Sequence, residues 1–298
     1  MPPGAAYRVG VRAHGLVTDV PEAGVADHVC WVYDGDDDAL DRAVARFLKG
    51  GLDRGERLLC VGDRVIDSLR RHASGLPDVD GLLTDGTLQT LTLRDAYDAA
   101  AAFLPEDQFA YYDAATRRAL DDGYQGLRVV AEISALAADP VHRPALVRWE
   151  HLADDYIASG SGFTAMCTYS SGLARAALDD VTAVHPVVRA EGGAPAFQVF
   201  FDGEDAMVLT GSVDAFSADR LARVLASSPA EPPGVVLDLG RVEFMDVAGC
   251  RALARWAASL SARSVAVELA GSSALVRRMW QLLSLDAVAP VTFAGSRS

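Results

Sequence analysis

Five residues in the front part of the chain carry side chains suited to holding a ligand: His28, Tyr33, Glu132, Glu150 and Cys167. An imidazole, a phenol, two carboxylates and a thiol can grip a small polar molecule by hydrogen bonding. With His151 and His185 they would also offer a metal-ligating donor set. No pair has the close spacing that marks a metal site, however, so the sequence predicts no metal. Each residue has an ordinary structural explanation as well. His28 can hydrogen-bond at a strand start, Glu150 can be solvated on a helix, and a free Cys often behaves as a small buried hydrophobe. Glu132 stands out because a carboxylate closing an apolar strand suggests a crevice at the strand's carboxyl end. In the back part, Asp246, Val247, Ala248 and Gly249 precede a helix, where Asp246 suits an N-cap and Gly249 permits close chain approach. Catalytic signatures are missing: there is no G-x-S-x-G elbow, no HExxH, no intact phosphate loop and no dinucleotide fingerprint. The expectation is a protein that is not an enzyme, with no catalytic residue and no cofactor.

Alternating strand and helix patterns must position these residues. HVCWVY at 28–33 is an apolar, β-branched run, followed by a helix in which Leu40, Val44, Phe47 and Leu48 share one face and Gly50 and Gly51 mark the end. Strands are predicted at 57–63, 88–93, 127–132 and 163–169, and helices at 65–72, from 95 to 102, at 111–122 and at 143–159. Strand, helix, strand with short connections signals a parallel sheet. Residues 1–24 hold no sustained period and read as a loose lead-in, 25–187 as a three-layer α/β domain, and 188–195 as a Pro- and Gly-rich linker. From 196 to 298 a hairpin turning at DGED is followed by helix, strand, helix, strand and helix, a second, smaller α/β domain. Val276, Met279, Trp280 and Leu283 fall together on the last helix as core.

Bulk composition narrows the function further. The formal charge of -14 argues against a direct nucleic-acid partner, which needs clustered Lys and Arg. Up to residue 195 there are 18 basic and 30 acidic side chains, and beyond it 9 and 11, so the acidity belongs to the front part. Cys30, Cys60, Cys167 and Cys250 are scattered and read as buried free thiols in a reducing compartment. No run approaches the length of a membrane span, so neither a membrane partner nor an anchor is expected, and the cytoplasm is the expected location.

LTGSVDAFSADRL and VVLDLGRVEFMDVAGCRALARW resemble the STAS domain, found in bacterial anti-sigma-factor antagonists and in the cytoplasmic ends of sulfate transporters. The resemblance implies that the loop at Asp246 to Gly249 meets a protein partner. Kinase-regulated members place a phosphorylatable Ser after the loop Asp, where this chain has Val247. A valine has no hydroxyl to phosphorylate, so no phosphorylation is expected at that position.

HVCWVYDGDDDALDRAVARFLKGGLDRGERLLCVG, LRVVAEIS, RWEHLADDY, TAMCTYS and the closing His185 and Pro186 resemble the MEDS sensory domain of prokaryotic regulators. FLKGGLDRGERLLCV also resembles part of a RecA-type or circadian-clock-type ATPase unit. In such ATPases a phosphate loop ending in Lys and Ser or Thr precedes the helix, whereas here Asp36, Asp37 and Asp38 put three negative charges there. The front domain is read as a degenerate relative that keeps the fold without hydrolysis.

Taken together, the resemblances imply a signalling regulator of transcription. A sensory domain, receptive to a small-molecule ligand or a partner, controls a STAS domain that binds an anti-sigma factor or kinase-like regulator protein. The alternative is a ligand-binding or vestigial nucleotide-binding protein whose STAS domain only assembles oligomers. A homodimer fits either.

Overall fold

A computed structural model describes residues 12–20, 28–35, 37–71, 76–96, 103–203 and 206–295. Parts of the predicted lead-in, Asp36, His72, 97–102 of the third predicted helix, and Glu204 and Asp205 of the hairpin turn lie outside them.

In chain order the front part runs β1 (Gly15–Leu16), β2 (His28–Tyr33), α1 (Asp37–Asp53), β3 (Arg57–Val61), α2 (Asp63–Arg71), α3 (Val79–Thr84), β4 (Leu88–Leu91) and α4 (Leu93–Ala96). It continues with α5 (Pro105–Asp121), β5 (Leu127–Glu132), α6 (Ser134–Ala138), α7 (Arg143–Ala158), β6 (Phe163–Ser170), α8 (Arg175–Thr182) and β7 (Val187–Arg189). The strands form one parallel sheet in the order β1-β7-β2-β6-β5-β3-β4. Alternation along the strands divides the core into two faces. Val29, Trp31 and Met166 pack under α1, while Cys30, Cys167 and Tyr169 pack under α5 and α7.

The predicted face of α1 is buried at Leu40, Val44, Phe47 and Leu48. Gly50 and Gly51 do not end that helix, which runs on to Asp53. A Cβ on Gly51 would lie 2.7 Å from the Leu58 and Arg128 side chains, so this glycine serves close helix-on-sheet packing. Two predicted boundaries also shift. Within the supposed lead-in, Gly15–Leu16 forms an edge strand, and within the supposed linker, 188–189 belong to β7; the two strands pair with each other and are too short to show a period.

The back part comprises β8 (Phe197–Phe201), β9 (Ala206–Val213), α9 (Ala218–Ala226), β10 (Gly234–Met245), α10 (Val247–Ser261), β11 (Ala266–Ala270), α11 (Ala274–Leu282) and β12 (Val291–Phe293). Its five strands lie in the order β12-β11-β10-β9-β8, with only β8 and β9 antiparallel. The fold class is therefore as the sequence predicts: a parallel-sheet α/β domain followed by a small α/β domain. Trp280 and Val276 are buried, with Met279 and Leu283 packed against the same core.

The two parts share apolar packing. Val147 of α7, Ala183 and Val184 belong to the back domain's core cluster. The backbone N–H of Val199 donates to the Ala183 carbonyl at 2.7 Å, and Gln198 Nε2 donates to the carbonyls of His185 and Pro186 at 2.6 and 2.9 Å.

Candidate functional site

The register of β2 against β6 sets Cys30 opposite Cys167 and His28 opposite Ala165, so His28, Cys30 and Cys167 face the same helices. Above them α7 presents Glu150 and Asp154, four residues apart and hence on one side of the helix. His185 enters from the short segment between α8 and β7. Thus His28, Glu150, Cys167 and His185 converge, each offering one ligating atom, all within 4.8 Å of one another and all buried. Three of the five predicted ligand residues meet here, joined by one from the resemblance's closing His-Pro pair.

Glu150 is the hub. Its Oε1 accepts the Tyr169 hydroxyl at 2.5 Å, and its Oε2 lies 3.3 Å from His28 Nε2, 3.4 Å from Cys167 Sγ and 3.5 Å from His185 Nε2. Burial alone would raise its pKa, but the two imidazoles and Tyr169 bring it down to about 2, so it stays ionised. Burial lowers the His185 pKa to about 4, helped by neighbouring His28. Burial also works against the His28 cation, yet hydrogen bonds to Asp154 and Glu150 outweigh it and raise the pKa. The thiols of Cys30 and Cys167 are pushed well up by burial and by the Glu150 charge, the opposite of a reactive thiolate.

From this centre a polar chain leads to the back domain. His28 Nδ1 donates to Asp154 Oδ1 at 3.0 Å, and Asp154 Oδ2 accepts the backbone N–H of Phe201 at 2.7 Å. Arg12 closes the circuit, donating to Asp154 Oδ1 at 2.8 Å and to the Phe201 carbonyl at 2.6 Å. Although buried, Asp154 is held far below the usual carboxylate range by Arg12 and His28. His151 points away from the cluster, toward the Val224 carbonyl of α9 at 3.2 Å.

Tyr33 and Glu132 stand elsewhere, at the carboxyl ends of β2 and β5. The Tyr33 hydroxyl donates to Glu132 Oε1 at 3.2 Å, which also accepts the Ser134 N–H. Partial burial beside that carboxylate pushes the Tyr33 phenol up to about 12. Glu132 thus caps the turn into α6, a structural use of the strand-end carboxylate. A cleft of about 290 Å³ nearby is lined by Val32, Asp34, Ser171 and Arg175, but by none of the five predicted residues. Where an ATPase would present its phosphate loop, Asp34 accepts the Gly35 N–H at 2.9 Å and the Ser171 hydroxyl at 2.9 Å. This removes a backbone donor and adds a negative charge.

In the back domain Asp246 caps α10, its side chain accepting the Gly249 N–H at 3.0 Å. Val247, Ala248 and Gly249 form the helix's first turn, not a loop. Val247 is 37% exposed, whereas Gly249 is buried. A Cβ there would meet Met245 Cγ at 2.8 Å and Val213 Cγ1 at 3.0 Å. Gly249 thus makes the close approach expected of it and, being buried, offers no exposed surface to a partner. Exposed beside this helix start are Phe244, before the cap, and Phe216 in the loop after Val213, whose carbonyl receives the Asp246 N–H.

Sequence reasoning missed Asp154, Tyr169 and Arg12. For Asp154 a signal existed, because RWEHLADDY sets two acids one helical turn apart. Arg12, inside a stretch without periodicity, gave none.

A parallel α/β domain with a buried polar centre is joined through shared packing to a five-stranded domain with an exposed helix start, a two-module chain. Residues 27–186 match the family model of the MEDS domain, the methanogen/methylotroph, DcmR sensory domain, and 198–291 match that of the Mlab, STAS domain. The first match covers more than half of the 298 residues, and the chain belongs to the MEDS family. A comparison with curated proteins finds no match. No helix among the described residues is long and apolar enough to cross a membrane.

Proposed function

We propose that the chain is a non-catalytic cytoplasmic regulator in which the state of the MEDS domain sets the affinity of the STAS domain for a protein partner, an anti-sigma factor of kinase-like fold by resemblance. The observation that carries this reading is the contact of Asp154 with the backbone of Phe201. A strand of the STAS sheet hangs on a carboxylate that also serves the sensory domain's buried centre. Anything that changes that centre changes the support of β8. With Val247 at the position where kinase-regulated members carry Ser, control passes from phosphorylation to the sensory domain. The alternative, vestigial nucleotide binding, is disfavoured by Asp34 and its hold on the Gly35 N–H.

The test is capture of the tagged full-length protein from its native cells, with bound proteins identified by mass spectrometry. The reading predicts a kinase-like anti-sigma factor that is recovered with the wild type and lost with Val247→Asp. Equal recovery with both, or recovery of the chain alone, refutes it.

A further inference from the structure

Two imidazoles, one thiol and one carboxylate converge in a space closed to solvent. In a tetrahedral site with metal–N and metal–O bonds near 2.0–2.1 Å and a metal–S bond near 2.3 Å, neighbouring ligand atoms sit about 3.3–3.6 Å apart. The contacts from Glu150 Oε2 to His28 Nε2, Cys167 Sγ and His185 Nε2 measure 3.3, 3.4 and 3.5 Å, and that from Cys167 Sγ to His28 Nε2 measures 3.8 Å. Three of these four contacts fall within that range and the fourth is 0.2 Å beyond it, and all six separations among the four ligand atoms are within 4.8 Å.

An independent observation concerns His185. Its Nδ1 faces the Val181 carbonyl at 2.8 Å, an acceptor only, so Nδ1 carries the proton and Nε2 presents a lone pair. That Nε2 is buried and has no hydrogen-bond partner, although it faces Glu150 Oε2. A lone pair pointed at a carboxylate oxygen is repulsive unless a proton or a metal cation lies between them, and no hydrogen bond joins the two atoms.

The surrounding groups match what metal ligands require. His28 donates its other nitrogen to Asp154, His185 donates to a backbone carbonyl, and Tyr169 bonds the free oxygen of Glu150. Charges balance too: the Glu150 carboxylate and a Cys167 thiolate neutralise a dication, while Arg12 neutralises Asp154.

We propose that His28 Nε2, Glu150 Oε2, Cys167 Sγ and His185 Nε2 together bind one divalent metal ion of the zinc class in a closed, tetrahedral, structural site. Magnesium and calcium, which prefer oxygen ligands, do not suit this donor set. Binding transfers the Cys167 thiol proton to solvent, together with any second proton on His28. Since Asp154 joins His28 to Phe201, the ion is tied through that carboxylate to β8 of the STAS sheet. The sequence-based expectation of no metal rested on spacing, a criterion that ligands from four separate segments escape. The assignment is independent of what the STAS domain binds.

The test uses the full chain. Elemental analysis after purification should find about one equivalent of zinc per chain, and cobalt(II) added after chelation should give a near-ultraviolet thiolate-to-cobalt band with the visible spectrum of tetrahedral coordination. Cys167→Ala should abolish the thiolate band and Cys30→Ala should keep it, while zinc should raise the melting temperature of the chelated protein by several degrees. A folded wild type that holds no zinc and gives no thiolate band overturns the proposal, as does a band that survives Cys167→Ala. If Cys167→Ala does not fold, the wild-type titration and the Cys30→Ala spectrum decide.

Discussion

The Asp154 carboxylate and the Phe201 amide are 2.7 Å apart across the boundary between the two domains, and both are buried. The same carboxylate holds His28 and Arg12. Removing it leaves the Arg12 guanidinium, the His28 Nδ1–H and a backbone N–H without this acceptor. Asp154→Ala should therefore cost on the order of 3–5 kcal/mol in urea unfolding. Hydrogen exchange should accelerate at Phe201 and leave β11 unchanged. A loss below 1 kcal/mol would mean that the carboxylate is not the link described.

Much of the fold was legible in advance because the central strands are buried on both faces and read as continuous apolar runs, from HVCWVY to FTAMCTY. Short edge strands were not, since two or three residues show no period. The site was only half legible. His28, Glu150 and Cys167 drew notice by residue type, yet Cys167 and His28 are 139 positions apart, and only the pairing of β2 with β6 under α7 brings them together. Glu132 lies outside the cluster, its carboxylate bonded locally to Tyr33 and to a turn N–H.

Stability should fall with acid through Asp41. This buried carboxylate would be raised by desolvation, but hydrogen bonds from Arg71 and Arg64 lower it from 3.8 to about 2. A depressed folded-state pKa stabilises above the unfolded value, and that stabilisation disappears as pH drops from about 4 to about 2. The loss should be roughly 1–2 kcal/mol. Urea titrations at stepped pH should show this decline in the wild type and a shallower one in Asp41→Asn; equal slopes would rule Asp41 out.

Gly249→Ala should destabilise the STAS domain by about 1–3 kcal/mol, because the new methyl meets Met245 and Val213. Thermal unfolding will show it. An unchanged melting temperature would mean that the α10 start has room to move.

Val247→Asp, at an exposed position, should change stability by no more than about 0.5 kcal/mol. It should nevertheless weaken partner binding by at least tenfold in calorimetry with the captured regulator. Unaltered affinity would move the docking surface away from the α10 start.

The most direct test of coupling between the domains is hydrogen exchange on Glu150→Gln, which alters the buried centre at a residue bonded only within the MEDS domain. Faster exchange through Phe197–Phe201, with α11 unaffected, is the predicted result. A change confined to β2, β6 and α7 would contradict the account.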